Sequence, residues 1–417
     1  MSRFGVESGG RLAGRLSVPG DKSISHRVLL LAALADGVST IRGLSDGDDV
    51  ARTRAIVEAL GVEMAGSPTE GLEVRGGQLR EPEGPLDVGN SGTGIRLLAG
   101  MLAGLPFVSV LDGDRSIRSR PMDRIIEPLR IMGAEVDGSG GGSSAPLRIG
   151  GGCLHGIDYH PPMASAQVKG CVLFAGLSAE GPTTVIETVP TRAHTEELMV
   201  LTGVNVQTSD GQVTIQPGRP NPFEHSVAGD PSQAAFWAVG TAILPDSEVV
   251  IEGVYSGPAR TGFVDVLDRM GASIDHDPVT GDLTVRSAEL TGTIVEPSEV
   301  PGLVDEVPVL AVAAACAQGE TRFVGVGELR IKESDRLSAL CSELGGMGAQ
   351  LRIDGDDLIV QGGGLVGGEV DSHGDHRIAM ACAVAALVAD GRTTVTGWEA
   401  VSTSYPTFDA DLVGLRV

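Results

Sequence analysis

Lysine is the scarcest charged residue in this chain of 417 amino acids. Lys22, Lys169 and Lys332 are the only lysines, and arginine supplies the remaining positive charge. Each lysine lies in a polar segment that contains glycine or serine, and not on an ordinary helix face. A general depletion of lysine explains the small number but does not explain this placement, which indicates a role for the positions themselves.

Cysteine is also rare. The five cysteines are scattered and are never spaced as Cys-x-x-Cys. A disulfide framework requires matched pairs, and a structural zinc site requires closely spaced ligands. The sequence therefore predicts reduced, mostly buried thiols in a cytoplasmic protein.

Long apolar runs and an excess of positive charge are missing as well. Apolar runs such as 307–317 are too short to cross a bilayer, and the N-terminus has no signal-peptide pattern. The net charge of −24 argues against a nucleic-acid partner, because binding to a phosphate backbone relies on a basic face. We expect a cytoplasmic protein with neither a membrane nor a nucleic-acid partner.

The length of the chain exceeds what one hydrophobic core usually spans, and 41% hydrophobic residues are ample for burial. Proline- and glycine-containing stretches at 18–20 and 227–229 mark two places where the chain could cross between domains. We predict one domain formed by 1–20 together with 229–417, which carries both termini, and a second, inserted domain formed by 21–228.

A glycine-containing segment recurs about every seventy residues along the chain. It follows an amphipathic helical stretch and usually leads into an alternating strand. The central glycines of these segments are Gly61, Gly133, Gly203, Gly271, Gly348 and Gly414. The spacing is longer than that of solenoid repeats and fits a small α/β unit for each copy.

A second series of segments alternates with the first, and each has a polar head followed by a nearly all-apolar helix. The heads begin at Lys22, Asn90, Ser165, Asp230, Asp305 and Asp375. A helix that is apolar on all sides is buried. The six repeats therefore predict an α/β protein with two domains of three units each, in which helices lie inside and sheets outside.

The polar heads are rich in cationic side chains. Those within or beside the heads are Lys22, Arg27, Arg96, Arg120, Arg192, Lys332, Arg336 and Arg377. Helix N-termini carry partial positive charge and unpaired N–H groups, and guanidinium groups bind carboxylate and phosphate bidentately. Their co-occurrence predicts a site for small ligands that carry several anionic groups.

The head segments, taken in order, resemble the 5-enolpyruvylshikimate-3-phosphate synthase family. They read PGDKSISHR (19–27), GNSGT (89–93), RPM (120–122), SAQVK (165–169), GDPS (229–232), DEVP (305–308), ELRIKESDR (328–336) and DHR (375–377). The resemblance runs from the first strand to the C-terminus. It implies the inside-out enolpyruvyl transferase fold, with two domains of three βαβαββ units each and an active site in the cleft between them.

The family reaction is the sixth step of the shikimate pathway. The 5-hydroxyl of shikimate 3-phosphate adds to C2 of phosphoenolpyruvate while C3 is protonated, and phosphate is then eliminated. The resemblance implies that no metal or organic cofactor takes part. It also implies a monomer, because domain closure builds the site within one chain.

The resemblance also assigns roles by position. Those that would bind shikimate 3-phosphate are Lys22, Ser23, Arg27, Ser165, Ala166, Gln167, Arg192, Asp305 and Lys332. Those that would bind phosphoenolpyruvate are Lys22, Gly92, Arg120, Gln167, Arg336 and Arg377. The catalytic set would be Asp305, Glu333, Lys22 and Lys332, with Asp305 as the base near the 5-hydroxyl and Glu333, together with Lys332, handling the proton at C3.

Three positions depart from the commoner family pattern. Thr403 stands where many relatives have a lysine, Glu328 replaces a frequent asparagine, and Ala193 interrupts what is commonly Arg-Asp-His-Thr-Glu. Together with 20–22 and 165–169, these departures resemble the branch that tolerates glyphosate. Gly92 instead leaves the unobstructed pocket of sensitive members, so we expect intermediate tolerance.

Three other functions fit parts of the pattern. The sister transferase that acts on UDP-N-acetylglucosamine would carry a nucleophilic cysteine near Arg120, and residues 101–152 contain none. A non-catalytic anion-binding scaffold would have lost its acid/base carboxylates, whereas Asp305 and Glu333 are present. An RNA-end-processing cyclase shares this kind of repeat but not the acidic charge.

For three polar residues at the heads, helix capping explains the residue as well as ligand binding does. These residues are Asp230, Ser91 and Thr93.

Overall fold

The computed structural model describes residues 2–68 and 70–417, which form two compact units. The terminal unit comprises Met1–Pro19 and Ala228–Val417, and the inserted unit comprises Gly20–Val227. Each boundary lies one residue before the boundary expected from the sequence. The chain begins in the terminal unit with two strands, β1 (Arg3–Val6) and β2 (Ala13–Ser17).

The inserted unit contains the first three repeats. The first repeat consists of α1 (Lys22–Leu34), β3 (Gly37–Arg42), α2 (Asp48–Ala59), β4 (Glu63–Ser67) and β5 (Gly71–Gly76). The second consists of β6 (Leu86–Asp87), α3 (Gly92–Ala103), β7 (Val108–Asp112), α4 (Arg115–Ser119), α5 (Asp123–Ile131), β8 (Glu135–Ser139) and β9 (Ser144–Gly150). The third consists of β10 (Asp158–Tyr159), α6 (Ala166–Gly176), β11 (Thr183–Ile186), α7 (His194–Leu201), β12 (Val206–Ser209) and β13 (Gln212–Ile215), after which β14 (Glu224–Ser226) ends the unit.

The terminal unit contains the last three repeats. The fourth consists of β2, α8 (Pro231–Ile243), β15 (Glu248–Glu252), α9 (Gly262–Arg269), β16 (Ser273–His276) and β17 (Leu283–Arg286). The fifth consists of β18 (Ile294–Val295), α10 (Val300–Leu303), α11 (Val307–Cys316), β19 (Glu320–Phe323), a 3-10 helix (Gly327–Ile331), α12 (Arg336–Gly346), β20 (Gln350–Asp354) and β21 (Asp357–Gln361). The sixth consists of β22 (Glu369–Asp371), α13 (His376–Ala386), β23 (Thr393–Thr396), a 3-10 helix (Trp398–Thr403) and α14 (Phe408–Leu415).

Each repeat forms a small mixed sheet of its own. The strand orders are β14-β3-β5-β4, β6-β7-β9-β8, β10-β11-β13-β12, β16-β17-β15-β2, β18-β19-β21-β20 and β1-β23-β22. The leading strand runs parallel to its neighbour, and the hairpin that ends the repeat is antiparallel to it. The N-terminal strand β2 pairs in parallel with β15 of the terminal unit, and β14 takes the corresponding place beside β3.

The first long helix of each repeat is buried. In the inserted unit, α3 packs against α1 and α6, and in the terminal unit α8, α11 and α13 pack against one another. All of α3 is buried, as is nearly all of α8, α11 and α13. These helices begin within two residues of the predicted heads, so the expected inside-out α/β fold is confirmed. Within the described residues, no helix has both the length and the apolar character that crossing a membrane requires.

The recurring glycine ends the second long helix of most repeats. Gly61, Gly133, Gly203, Gly271 and Gly348 have φ angles between 80° and 101°, a conformation that favours glycine. The prediction is wrong for Gly414, which lies inside α14. In the sixth sheet, β1 pairs antiparallel with β23, in the place that a hairpin strand takes in the other repeats.

The close approach of α3 and α6 predicts an unusual response to a glycine substitution. A Cβ at Gly100 would lie 2.1 Å from the backbone oxygen of Cys171, which is far inside van der Waals contact. We expect Gly100→Ala to lower the free energy of unfolding by about 1–3 kcal/mol, although alanine normally stabilises a helix by about 1 kcal/mol. Gly345→Ala in α12, where the added Cβ meets nothing within 4 Å, is the control and should be stabilising. Denaturant unfolding of both variants measures this, and a stabilised Gly100→Ala variant would contradict the packing.

Candidate active-site clusters

The heads of the buried helices are capped by side chains. Asp21, Ser91, Ser165, Asp230 and Asp375 each accept a hydrogen bond from a backbone N–H of the helix that follows them. The capping explanation is therefore confirmed for Asp230 and Ser91. Such caps fix the first turn of a helix, and with it the direction in which neighbouring side chains point.

Two predicted cations lie on the first turns of α1. The ammonium of Lys22 is 2.9 Å from Oδ2 of Asp49, and both side chains are largely buried. The guanidinium of Arg27 is also buried, and its Nε donates to Oγ1 of Thr195 at 2.7 Å. Its other nitrogens donate to backbone oxygens of Ser23 (2.9 Å) and Ala166 (3.4 Å). Arg27 thus links the heads of α1 and α6.

A second group joins the heads of α3 and α6. The side-chain amide of Gln167 donates to Oγ1 of Thr93 at 2.9 Å and accepts from the guanidinium of Arg96. Gly92 lies beside this contact, since a Cβ there would be 3.2 Å from Nη1 of Arg96 and 2.6 Å from Nη1 of Arg120. The absence of a side chain at Gly92 is what allows both guanidinium groups to approach the head of α3.

Arg120 lies on the segment before α5. It is buried, and its Nη2 donates to Oδ1 of Asn90 at 2.6 Å and to Oγ of Ser116 at 3.1 Å. These contacts aim the guanidinium at the head of α3, where Asn90 belongs to the predicted motif. Arg192 occupies the corresponding place before α7 and is half-buried.

Lys169 takes part in a buried network below the head of α6. Its ammonium is 2.7 Å from Oε1 of Glu196 and 2.9 Å from Oε2 of Glu187. The hydroxyl of Thr191 donates to the other oxygen of Glu187. The network ties α6 to the segment that carries Arg192 and so orders the head of α6.

His26 connects the first helices of the inserted unit. Its Nδ1 is 2.7 Å from Oγ1 of Thr53 and its Nε2 is 3.3 Å from Oγ of Ser91. Burial lowers the pKa of His26 well below 6.5, and the positive charges of Lys22 and Arg27 lower it further. The ring is therefore neutral at physiological pH and connects the cap of α3 to α2.

In the terminal unit, the predicted base lies among three predicted cations. Oδ1 of Asp305 is 3.4 Å from Nη1 of Arg336, 3.8 Å from Nζ of Lys332 and 3.9 Å from Nε of Arg377. Nη1 of Arg377 also donates to the backbone oxygen of Asp305 at 3.1 Å. The structure therefore brings together four residues that are separated by up to 72 positions in the sequence.

Arg336 is the centre of this group. It is buried, with Nη2 2.5 Å from Oε2 of Glu333 and Nε 2.8 Å from Oδ2 of Asp375. Burial alone would lower the pKa of the Arg336 guanidinium, but the charges of Asp375, Glu333 and Asp305 outweigh burial and raise it. The pKa of Lys332 is lowered, chiefly by burial; Arg336 adds to this effect and Asp305 opposes it. A lysine with a lowered pKa gives up its proton more readily.

A third group of the terminal unit was not predicted from the sequence. Arg260 is buried, and its guanidinium contacts Asp230 at 2.5 Å, the Ser232 hydroxyl at 2.9 Å and Glu306 at 3.4 Å. The only signal that could have found it is its position in the repeat. Arg120, Arg192, Arg260 and Arg336 all lie at the start of the second long helix of their repeats. In the sixth repeat the corresponding segment, before α14, carries Thr403.

Comparisons with known proteins agree with this architecture. The family model for EPSP synthase (3-phosphoshikimate 1-carboxyvinyltransferase) matches residues 6–412. A 3-phosphoshikimate 1-carboxyvinyltransferase of Herpetosiphon aurantiacus is 49% identical over 415 residues, covering 95% of this chain and 96% of the relative. One of Acidithiobacillus ferrooxidans is 48% identical over 422 residues, covering 98% and 97%.

Two solved structures are similar over nearly the whole chain. An EPSP synthase from Acinetobacter baumannii matches with a TM-score of 0.87 at 39% identity, covering 99% of this chain and 98% of that chain. The enolpyruvyl transferase NikO from Streptomyces tendae matches with a TM-score of 0.81 at 19% identity, covering 99% and 96%. The second likeness shows the fold alone.

Six α/β repeats with cationic side chains at the heads of their buried helices define an enolpyruvyl transferase. Within that class, the chain belongs to the EPSP synthase family, because the family model and relatives nearly half identical match it almost from end to end. It is therefore an enzyme, a transferase of aromatic amino acid biosynthesis.

The neutral state of buried His26 predicts a pH dependence of stability. The folded protein has a lower pKa at His26 than the unfolded chain, so below pH 6.5 the unfolded chain binds the extra proton. Stability is full above that pH and falls as the pH decreases, by about 1.4 kcal/mol per pH unit. His26→Gln should flatten the dependence between about pH 5 and 6.5, measured by denaturant unfolding. The exposed His160→Gln is the control, and an unchanged slope in His26→Gln would contradict the prediction.

Proposed function

We propose that the head clusters of both units catalyse one reaction, the transfer of the enolpyruvyl group of phosphoenolpyruvate to the 5-hydroxyl of shikimate 3-phosphate. The observation that carries the proposal is the position of Asp305, whose carboxylate lies within 3.9 Å of Lys332, Arg336 and Arg377. Fixed cations offset the negative charge of the carboxylate and that of an anionic substrate. The carboxylate can therefore accept a proton while an anionic substrate lies beside it.

In this proposal the inserted unit binds shikimate 3-phosphate. Arg27 and Ser23 on α1 and the SAQ segment at the head of α6 are joined by direct hydrogen bonds. Backbone N–H groups at two helix heads and a preorganised guanidinium suit a phosphate dianion. Lys22, Arg192 and Gln167 complete the set, and each lies at a helix head or beside one.

Phosphoenolpyruvate would be held by Arg120, Gln167 and Lys22 of the inserted unit, with Gly92 leaving room, and by Arg336 and Arg377 of the terminal unit. Arg336 and Arg377 are already oriented by contacts with Asp305. Several fixed cations also stabilise the charge that develops on the departing phosphate.

The proton transfers are assigned to three residues. Asp305 accepts the proton of the 5-hydroxyl while the hydroxyl oxygen bonds to C2 of phosphoenolpyruvate. Glu333, together with Lys332, delivers a proton to C3. When phosphate leaves, the same pair takes a proton back from C3 and the double bond re-forms. Glu333 is held in place by Arg336, and burial lowers the pKa of Lys332, so that Lys332 gives up its proton more readily. The monomeric state, the cytoplasmic location and intermediate glyphosate tolerance stay predictions.

Release of inorganic phosphate tests the reaction. Purified enzyme should release phosphate only when shikimate 3-phosphate and phosphoenolpyruvate are both present. Asp305→Asn and Glu333→Gln keep the size of each side chain but remove its charge, and each should lower kcat by about 100-fold or more. Arg3→Gln, which removes an exposed ion pair with Glu369, is the control and should leave kcat unchanged. Phosphate release that persists in both carboxylate variants would overturn the assignment.

The space at Gly92 gives a separate prediction. In Gly92→Ala the new methyl group would lie 2.6 Å from Nη1 of Arg120, so the guanidinium has to move. We expect the KM for phosphoenolpyruvate to rise by about tenfold, which corresponds to about 1.4 kcal/mol, and the inhibition constant of glyphosate to rise as well. Gly84→Ala, where the exposed glycine has nothing within 4 Å of the added Cβ, is the matched control. Steady-state kinetics measures both, and an unchanged KM would show that Arg120 does not contact this substrate.

A further inference from the structure

Arg260 is buried but has no place in the reaction described above. Only 1% of its side chain is exposed, and its guanidinium contacts Asp230 and Glu306, which are buried as well. Removing an arginine from water costs several kcal/mol unless its partners compensate. An arginine in such a position orders the groups around it.

Glu306 is the partner that connects Arg260 to the reaction. It follows Asp305 directly in the sequence, and its backbone oxygen accepts the first hydrogen bond of α11, from Leu310 at 3.0 Å. Its Oε1 accepts from the Ser232 hydroxyl and from Arg260. Its Oε2 has no hydrogen-bond partner in the part of the chain that the structure describes. A buried carboxylate with one unsatisfied oxygen depends on its remaining contacts, here with Arg260 and Ser232.

The two neighbours at the head of α11 thus contact two different arginines. Asp305 contacts Arg336, and Glu306 contacts Arg260. Negative and positive side chains alternate across the heads of α8, α11 and α13. Arg260 lies between Asp230 and Glu306, and Arg336 lies between Asp305 and Asp375. The head of α11 is therefore held from both sides.

We propose that Arg260 is a positioning residue for the transfer reaction: by holding the Glu306 carboxylate, it fixes the head of α11 and the place of the Asp305 carboxylate. The inference rests on the proposed function, in which Asp305 accepts the proton of the 5-hydroxyl. Arg260 is not among the residues assigned to either substrate. Its effect on the reaction is geometric, through Glu306, and electrostatic, because it neutralises the charge next to Asp305.

The charges around Asp305 determine the direction of the expected effects. The groups that face it from neighbouring elements are Lys332, Arg336 and Arg377, with Glu333, Asp375 and Glu328 behind them. Arg260→Met removes a positive charge and leaves the carboxylates of Glu306 and Asp230 without their arginine, which favours protonation of Asp305. Glu306→Gln removes one negative charge and leaves Arg260 paired with Asp230 alone, which disfavours protonation of Asp305. The two substitutions therefore act in opposite directions.

The pH dependence of kcat for phosphate release, with both substrates saturating, tests this. In Arg260→Met the acid limb of the profile should move to higher pH by about one unit, and in Glu306→Gln it should move to lower pH. At the optimum, Arg260→Met should lower kcat by about 10- to 100-fold, while the KM values change much less. The double variant Arg260→Met/Glu306→Gln removes both charges and should bring the limb back toward its original position.

Arg269→Met is the matched control, because it removes an arginine from α9 whose ion pair with Glu299 is partly exposed. It should leave the profile unchanged. Acid limbs that stay in place, or that move in the same direction in Arg260→Met and Glu306→Gln, would show that Arg260 has only a structural role. If Arg260→Met does not fold, the direction of the shift in Glu306→Gln decides. Loss of the reaction in the unmodified enzyme, or no effect of Asp305→Asn, would instead overturn the proposed function and this inference with it.

Discussion

The burial of helices that are apolar on every side is the constraint on which the rest of the structure depends. Such helices cannot turn a polar face to water, so their polar groups are confined to their ends. The backbone N–H groups at each N-terminus then need acceptors, and side chains such as Asp21 and Asp375 supply them. A set of capped N-termini in each unit is therefore the consequence of how the cores are built. The same N-termini suit anions.

The two units use this arrangement differently. In the inserted unit, Arg27 and Arg120 donate to oxygens of Thr195 and Asn90, and these contacts orient both guanidinium groups. In the terminal unit, Arg260 and Arg336 contact carboxylates at the heads of the helices. The first arrangement suits the binding of a phosphate. The second holds carboxylates in place beside cations, which is what proton transfer next to an anionic substrate requires.

The sequence predicted the parts of the fold that repeat. The apolar helix bodies and the glycines after the second helices are local patterns, so the repeats and the inside-out packing could be read from them. The pairing of Arg260 with Glu306 joins residues 46 positions apart, and the network of Lys169 with Glu187 and Glu196 likewise depends on folding. One sequence carries no signal for such pairs, because any arginine and any glutamate satisfy the same local pattern. The prediction that Gly414 ends a helix was wrong for a related reason, since the sheet of its repeat is completed by β1 from the other end of the chain.

The sixth repeat shows why a missing cation at Thr403 is compatible with an ordered site. In the fourth and fifth repeats, buried ion pairs of Arg260 and Arg336 fix the segment that begins the second helix. In the sixth, aromatic packing does so: Phe408 stacks on Trp237 with ring centroids 4.8 Å apart. Nε1 of Trp237 donates to the Tyr405 hydroxyl at 2.9 Å. These contacts bury large apolar surfaces and satisfy the polar atoms of both rings. The position of this segment therefore does not depend on a charge at residue 403, and replacing a lysine there removes a cation without removing the support of the helix.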